Sequence, residues 1–191
     1  MPLDRQAIDD VERGANDSDW QALKDAARRI AFAEDGAIFE GYAAAGIEGI
    51  AQGTSNPVAT LPPDVLGYPQ AIAESLNQLR LVGVNGPYQV LLGAGPYTAL
   101  SEASDQGYPV LQHIKRLVDT EIVWAAAVAG AFVLSTRGGD FALHIGQDVS
   151  IGYLNHTDAV VQLYLQETFT FLMLTAEAAV ALAPAARAKA A

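Results

Sequence analysis

Few groups in this chain have the type and spacing to do chemistry. Gly93-Ala-Gly95-Pro-Tyr-Thr98 lies between a predicted strand and a predicted helix, the setting in which glycine-rich turns cradle dinucleotide phosphates. Its third small position is Thr98, and Pro96 removes an amide from the turn, so a plain strand-to-helix connection is the better reading. A small nucleotide-binding enzyme using Gly93–Thr98 stands as the alternative from a different class. The three histidines, His113, His144 and His156, fall in different elements without a carboxylate or second histidine at ligand spacing. No glutamate is followed by histidine three residues on, and there is no Gly-x-Ser-x-Gly elbow. With no cysteine, disulfides and thiolate chemistry are also excluded. The expectation is no catalytic residue, no metal ligand and no cofactor.

The remaining polar groups read as structural. Glu34, Asp35 and Glu40 share a predicted helix with Arg28 and Arg29, which points to a solvated face or to salt bridges between subunits. Glu167 alternates in phase with Leu165 and Phe169, so it is expected to be partly buried and paired with an arginine. Arg137-Gly-Gly-Asp140 is turn chemistry between two strands, read as a hairpin.

The elements that position these groups follow from periodicity. Ser18-Asp-Trp-Gln21 has the form of a capping box and opens a predicted helix from about Asp19 to Ala45, with Gly46 as its cap. Ala51–Gly67, rich in glycine and proline, marks a lobe boundary. Pro69 opens a second helix through Ile72, Leu76 and Leu79 to about Gly83, and a strand follows at Tyr88–Leu92. Short helices are expected at Tyr97–Ser104 and Val110–Val118, then strands near Ile122–Ala126 and Ala131–Thr136. Phe141, Leu143 and Ile145 alternate as a half-buried strand requires, as do Val149, Ile151 and Tyr153, and later Leu163, Leu165, Phe169 and Phe171. The end, Ala183–Ala191, reads as a frayed tail. Such mixed order predicts the α+β class.

Bulk properties exclude some functions. The net charge of −11 over 191 residues argues against a nucleic-acid partner, which clustered lysine and arginine would serve. The longest uncharged apolar run, Ile122–Leu134, has thirteen residues, short of the roughly 18 needed to span a bilayer. No signal region precedes it, so no membrane partner and an intracellular location are expected.

Taken in order, Asp9-Asp-Val-Glu-Arg-Gly14, Gly86-Pro-Tyr88, Gly107-Tyr-Pro109, Arg137-Gly-Gly-Asp-Phe141, Gly146-Gln-Asp-Val-Ser-Ile-Gly-Tyr153 and Glu167-Thr-Phe-Thr-Phe171 form a pattern. It resembles that of encapsulin shell proteins, the linocin or bacteriocin-like family, collinearly from about Leu3 to Leu182. The resemblance implies the fold of tailed-phage major capsid proteins, with a long spine helix. It also implies a peripheral domain of residues 1–56 and 141–182, an axial domain of 57–140 and a flexible tail of 183–191. Copies of the chain would self-assemble into an icosahedral cytoplasmic nanocompartment and enclose cargo enzymes. That cargo, a ferritin-like protein or a dye-decolourising peroxidase, would carry a C-terminal targeting peptide and serve iron storage or the oxidative stress response.

By the same resemblance Asp148, Val149, Ile151 and Tyr153 would bind the cargo peptide, and Asp105, Gln106 and Tyr108 would line a five-fold pore favouring cations. The family's N-terminal arm and extended loop have no counterpart here, which implies a shortened chain and leaves a capsid-fold protein that forms no closed shell as the alternative.

Overall fold

The computed structural model describes residues 1–118 and 120–185. In chain order the elements are β1 (Pro2–Asp4), α1 (Arg5–Glu12), α2 (Gln21–Glu40), α3 (Ile50–Gly53), β2 (Ala59–Leu61), α4 (Tyr68–Leu81), β3 (Tyr88–Leu92) and α5 (Ala94–Glu102). These are followed by β4 (Ser104–Asp105), β5 (Tyr108–Pro109), α6 (Val110–Lys115), β6 (Val123–Trp124), β7 (Ala131–Ser135), β8 (Phe141–His156), β9 (Val160–Met173) and β10 (Ala179–Pro184). The mixture is α+β, as expected.

The chain forms two compact units, Met1–Glu34 with Leu143–Thr170, and Asp35–Ala142 with the chain from Phe171 onward. These limits differ from the expected domain borders. Far from parting two lobes, the glycine- and proline-rich stretch after Ala51 is tied to the chain's end. The Asn56 amide donates to the carbonyls of Glu177 (2.8 Å) and Ala179 (2.9 Å), and the Ser55 N–H donates to Ala176 (2.9 Å).

In the first unit the sheet order is β1-β9-β8. Antiparallel pairing sets Leu3 opposite Val161, and the terminal amine donates to the Leu163 carbonyl at 2.7 Å. Asp4 caps α1 by accepting from the Gln6 N–H at 2.9 Å. The capping box expected before α2 does not form. Asp19 accepts from the Gln21 N–H (2.8 Å), while the Ser18 hydroxyl donates to the Ala7 carbonyl (3.1 Å). Helix α2 spans 20 residues, about 30 Å, and ends at Glu40 rather than Ala45. Gly41 (φ +84°) stops it, since a Cβ on Gly49 would lie 2.2 Å from the Gly41 nitrogen. Gly46 caps only the short 3-10 turn Ala43–Ala45.

The second unit carries the core. Its sheet order is β2-β10-β7-β3-β6, with β10 parallel to β2, β3 parallel to β6, and β7 antiparallel to both β10 and β3. Helix α4 places Ile72, Leu76 and Leu79 on one stripe, all fully buried with Val90, Leu92, Val133, Val180 and Leu182. Each such side chain contributes about 1.5–3 kcal/mol. Phe39 packs on Phe132 (centroids 5.2 Å apart).

Strand β10 runs two residues into the expected tail: Ala183 and Pro184 are its last residues, and the Ala185 N–H donates to Leu61 at 3.0 Å. Its alanines are held by strands on both sides, a placement no local pattern announces. The rest of the expected tail, 186–191, lies outside the described residues.

Candidate functional site

Strand β8 forms one edge of its sheet, and its alternating residues are not half-buried as expected. Val149 is 47% exposed, Ile151 55% and Tyr153 57%, with Leu143, Ile145 and Leu154 also open. The alternation is real, but among the described residues none covers these side chains. Asp148 accepts from the N–H of Val149 (2.7 Å), which leaves its other oxygen to solvent, and the Gln147 amide donates to the Ser150 hydroxyl at 2.6 Å. The Tyr153 hydroxyl meets Nδ1 of His156. The Tyr164 ring lies against Gly152, where an added Cβ would sit 2.2 Å from its Cζ and push the ring aside. The four residues read as one patch are thus close along one edge, with Val149, Ile151 and Tyr153 in one phase of the strand and Asp148 in the other.

On β9 the alternation holds. Leu163, Leu165 and Phe169 are half-buried while Tyr164, Gln166 and Thr168 are exposed. Glu167 shares the covered phase, but the expected arginine is missing: its Oε2 is buried without a hydrogen-bond partner, and no ion pair among the described residues includes it. Parity located the burial correctly and was silent about a partner.

The second patch is a hairpin. Ser104 pairs with Pro109 and Asp105 with Tyr108. Gln106 (φ +48°) and Gly107 (φ +85°) make the two-residue turn, both left-handed as such tight turns require. Asp105, Gln106 and Tyr108 are therefore brought together at an exposed tip. The Tyr108 ring meets His113 edge-on at 4.8 Å, and the Arg116 guanidinium lies 5.2 Å from its centroid. Sequence reading did not connect Tyr108 to these two residues.

The other candidates resolve into structure. The Gly93 N–H donates to Gly130 (2.9 Å), and a Cβ on Gly93 would lie 2.0 Å from the Val128 carbonyl, so this turn is packed against the chain instead of open to phosphate. Arg137 grips Asp140 through two hydrogen bonds, Nε to Oδ2 at 2.9 Å and Nη2 to Oδ1 at 2.8 Å. Asp140 is 3% exposed, and its carboxyl is held below the usual carboxylate range by Arg137 first, with the Thr175 and Ser135 hydroxyls helping and burial opposing. The turn joins strands of different sheets, so the hairpin expected there is absent: β7 pairs with β3 and β10, and β8 with β9. His144 is exposed on β8, and no cluster of three metal-ligating side chains occurs among the described residues. Arg28 lies 5.6 Å from the exposed Phe32 ring on α2, and neither Arg28 nor Arg29 is in an ion pair among the described residues. Burial raises the Asp35 carboxyl above its ordinary value. No helix among the described residues is long and apolar enough to cross a membrane.

Comparison with known proteins adds the context these patches need. A family model described as encapsulating protein for peroxidase matches residues 1–170. A type 1 encapsulin shell protein of Rhodococcus erythropolis is 61% identical over 181 residues, covering 95% of this chain and 69% of the relative. One from Mycobacterium tuberculosis is 59% identical over 180 residues, covering 94% of this chain and 68% of the relative. Among solved structures, the virus-like particle from Pyrococcus furiosus aligns with a TM-score of 0.63 at 14% identity, over 94% of this chain and 73% of that one. A chain of Gordonia phage Cozz aligns with a TM-score of 0.63 at 16% identity, over 98% and 69%. A capsid-type fold that leaves a long apolar edge uncovered in the single chain, together with relatives at this identity, makes the chain a member of the type 1 encapsulin shell protein family.

Proposed function

We propose that copies of this chain enclose a cargo enzyme, a peroxidase or a ferritin-like protein, inside a cytoplasmic compartment, and that β8 receives the cargo's targeting peptide. The observation that carries this reading is the open edge of β8, where Val149, Ile151 and Tyr153 stand exposed beside Asp148. An extended peptide would gain main-chain hydrogen bonds along such an edge and bury its apolar side chains against these three. Asp148, in a chain of net charge −11, favours a peptide with a basic residue. The mixed-sheet unit would serve as the axial domain and the hairpin unit as the peripheral one, with the Asp105–Tyr108 tip lining an opening between copies. No side chain here is given a catalytic part; the chain's work is to bind and to enclose.

The test is co-purification. A fluorescent protein fused to a targeting peptide is expected to elute with shells of the wild-type chain and to be lost, by at least about tenfold, with Ile151→Asp. Unchanged recovery would remove β8 as the docking strand. Electron microscopy of the same fractions reports on assembly separately, as uniform particles or as a species near the 20.1 kDa of one chain.

A further inference from the structure

The tip of the β4–β5 hairpin looks acidic from its own residues, because Asp105 is its only charged side chain. Folding changes that balance. Helix α6 starts directly after β5; His113 on it and Arg116 at its C-cap reach back to the hairpin's Tyr108. Lys115 is committed elsewhere, 2.6 Å from the Glu121 carboxylate. Arg116 is exposed and is in no ion pair among the described residues; its guanidinium lies over the Tyr108 ring, with His113 against the same ring edge-on. The aromatic ring is thus held from two positions by groups on and just after the following helix, and a fixed positive charge stands over the residue that pairs with the tip's single carboxylate. A guanidinium over a tyrosine face is attracted by the ring's negative face, which biases a short hairpin towards one arrangement.

We propose that Arg116 is the residue that sets charge preference at this tip, by offsetting Asp105 and by clamping Tyr108. This rests on the reading that the tip lines an opening between copies. The permeants concerned are small inorganic ions. With Arg116 in place the tip does not strongly favour cations, contrary to what Asp105 alone implies; without it, the acidic field dominates. Lysine at this position would keep the charge but lose the planar stacking surface, which separates the electrostatic part from the clamp.

Two measurements decide it. Shells assembled around a retained fluorescein–dextran are exposed to iodide or to copper(II), and the two quenching rates report anion and cation entry. Arg116→Gln is expected to raise the cation-to-anion rate ratio by about threefold or more. Arg116→Lys should leave the ratio near wild type, and Asp105→Asn should lower it. A ratio that responds to Asp105→Asn but not to Arg116→Gln overturns the proposal while leaving the tip as an entrance. If neither substitution moves either rate, the tip is not an entrance and the proposal falls with that reading. Independently, on the chain itself, amide exchange across 105–108 is expected to speed up by about threefold or more in both Arg116→Gln and Arg116→Lys. Unchanged exchange in both would remove the clamp.

Discussion

Strands β7 and β8 follow one another along the chain, joined by the Arg137–Asp140 turn, and meet opposite fates. All five residues of β7 are buried, between β3 and β10 in a sheet whose helices come from the same unit. Strand β8 is about three times as long and carries eight apolar side chains among its sixteen residues, yet none of it is fully buried and most of it faces solvent. Both carry a strand's pattern of hydrophobicity. That pattern records how much cover a strand needs and says nothing about who supplies it. For β7 the supplier is the chain; for β8 no described residue supplies it, and the proposed docking of a peptide would.

The comparison breaks most readily at its buried end. Leu79→Ala removes a side chain with no exposure from the α4 stripe and is expected to cost about 2–5 kcal/mol in urea unfolding, through lost transfer energy and a cavity. A cost below about 1 kcal/mol would mean that the mixed sheet is not the stable half. Arg137→Ala comes next, at about 1–3 kcal/mol, because it leaves the Asp140 carboxylate buried without its main partner. Asp140 has a folded pKa below its unfolded one, so its stabilisation is fully present above the ordinary carboxylate range and fades as pH falls through that range towards the folded value. The gap between wild type and Arg137→Ala, measured by urea titration, should therefore be wide near about pH 7 and narrow near about pH 3. A gap independent of pH would deny the pair its role. The smallest effect is expected at the open end: Ile151→Ala should alter the stability of the unassembled chain by no more than about 0.5 kcal/mol. A loss as large as that of Leu79→Ala would show β8 to be covered after all.

Much of the second unit was legible because its signals are local. Pro69 and the stripe Ile72, Leu76 and Leu79 announce α4; the Asn85-Gly86-Pro87 turn announces β3. Strand β10 was not legible, since Ala179–Pro184 becomes a strand only by lying between β2 and β7. The α2 cap was misread by one residue: Asp19 takes it, while Ser18 bonds to Ala7. Glu167 shows where parity stops: it predicts a burial phase and cannot name an ion-pair partner. At the hairpin tip the three residues were adjacent in sequence, so their grouping was readable. The Arg116 guanidinium over Tyr108 depends on the angle at which α6 leaves β5, which spacing does not encode.

The close approach of Gly41 and Gly49 at the end of α2 has one more consequence. A single added methyl at Gly49 would meet backbone nitrogen at 2.2 Å, with no side chain there to yield. In a solitary protein such an error is one defect. In a structure tiled from one chain it recurs at every tile. A substitution at Gly49 is therefore multiplied by the number of copies, and no tile is free of it to carry the load.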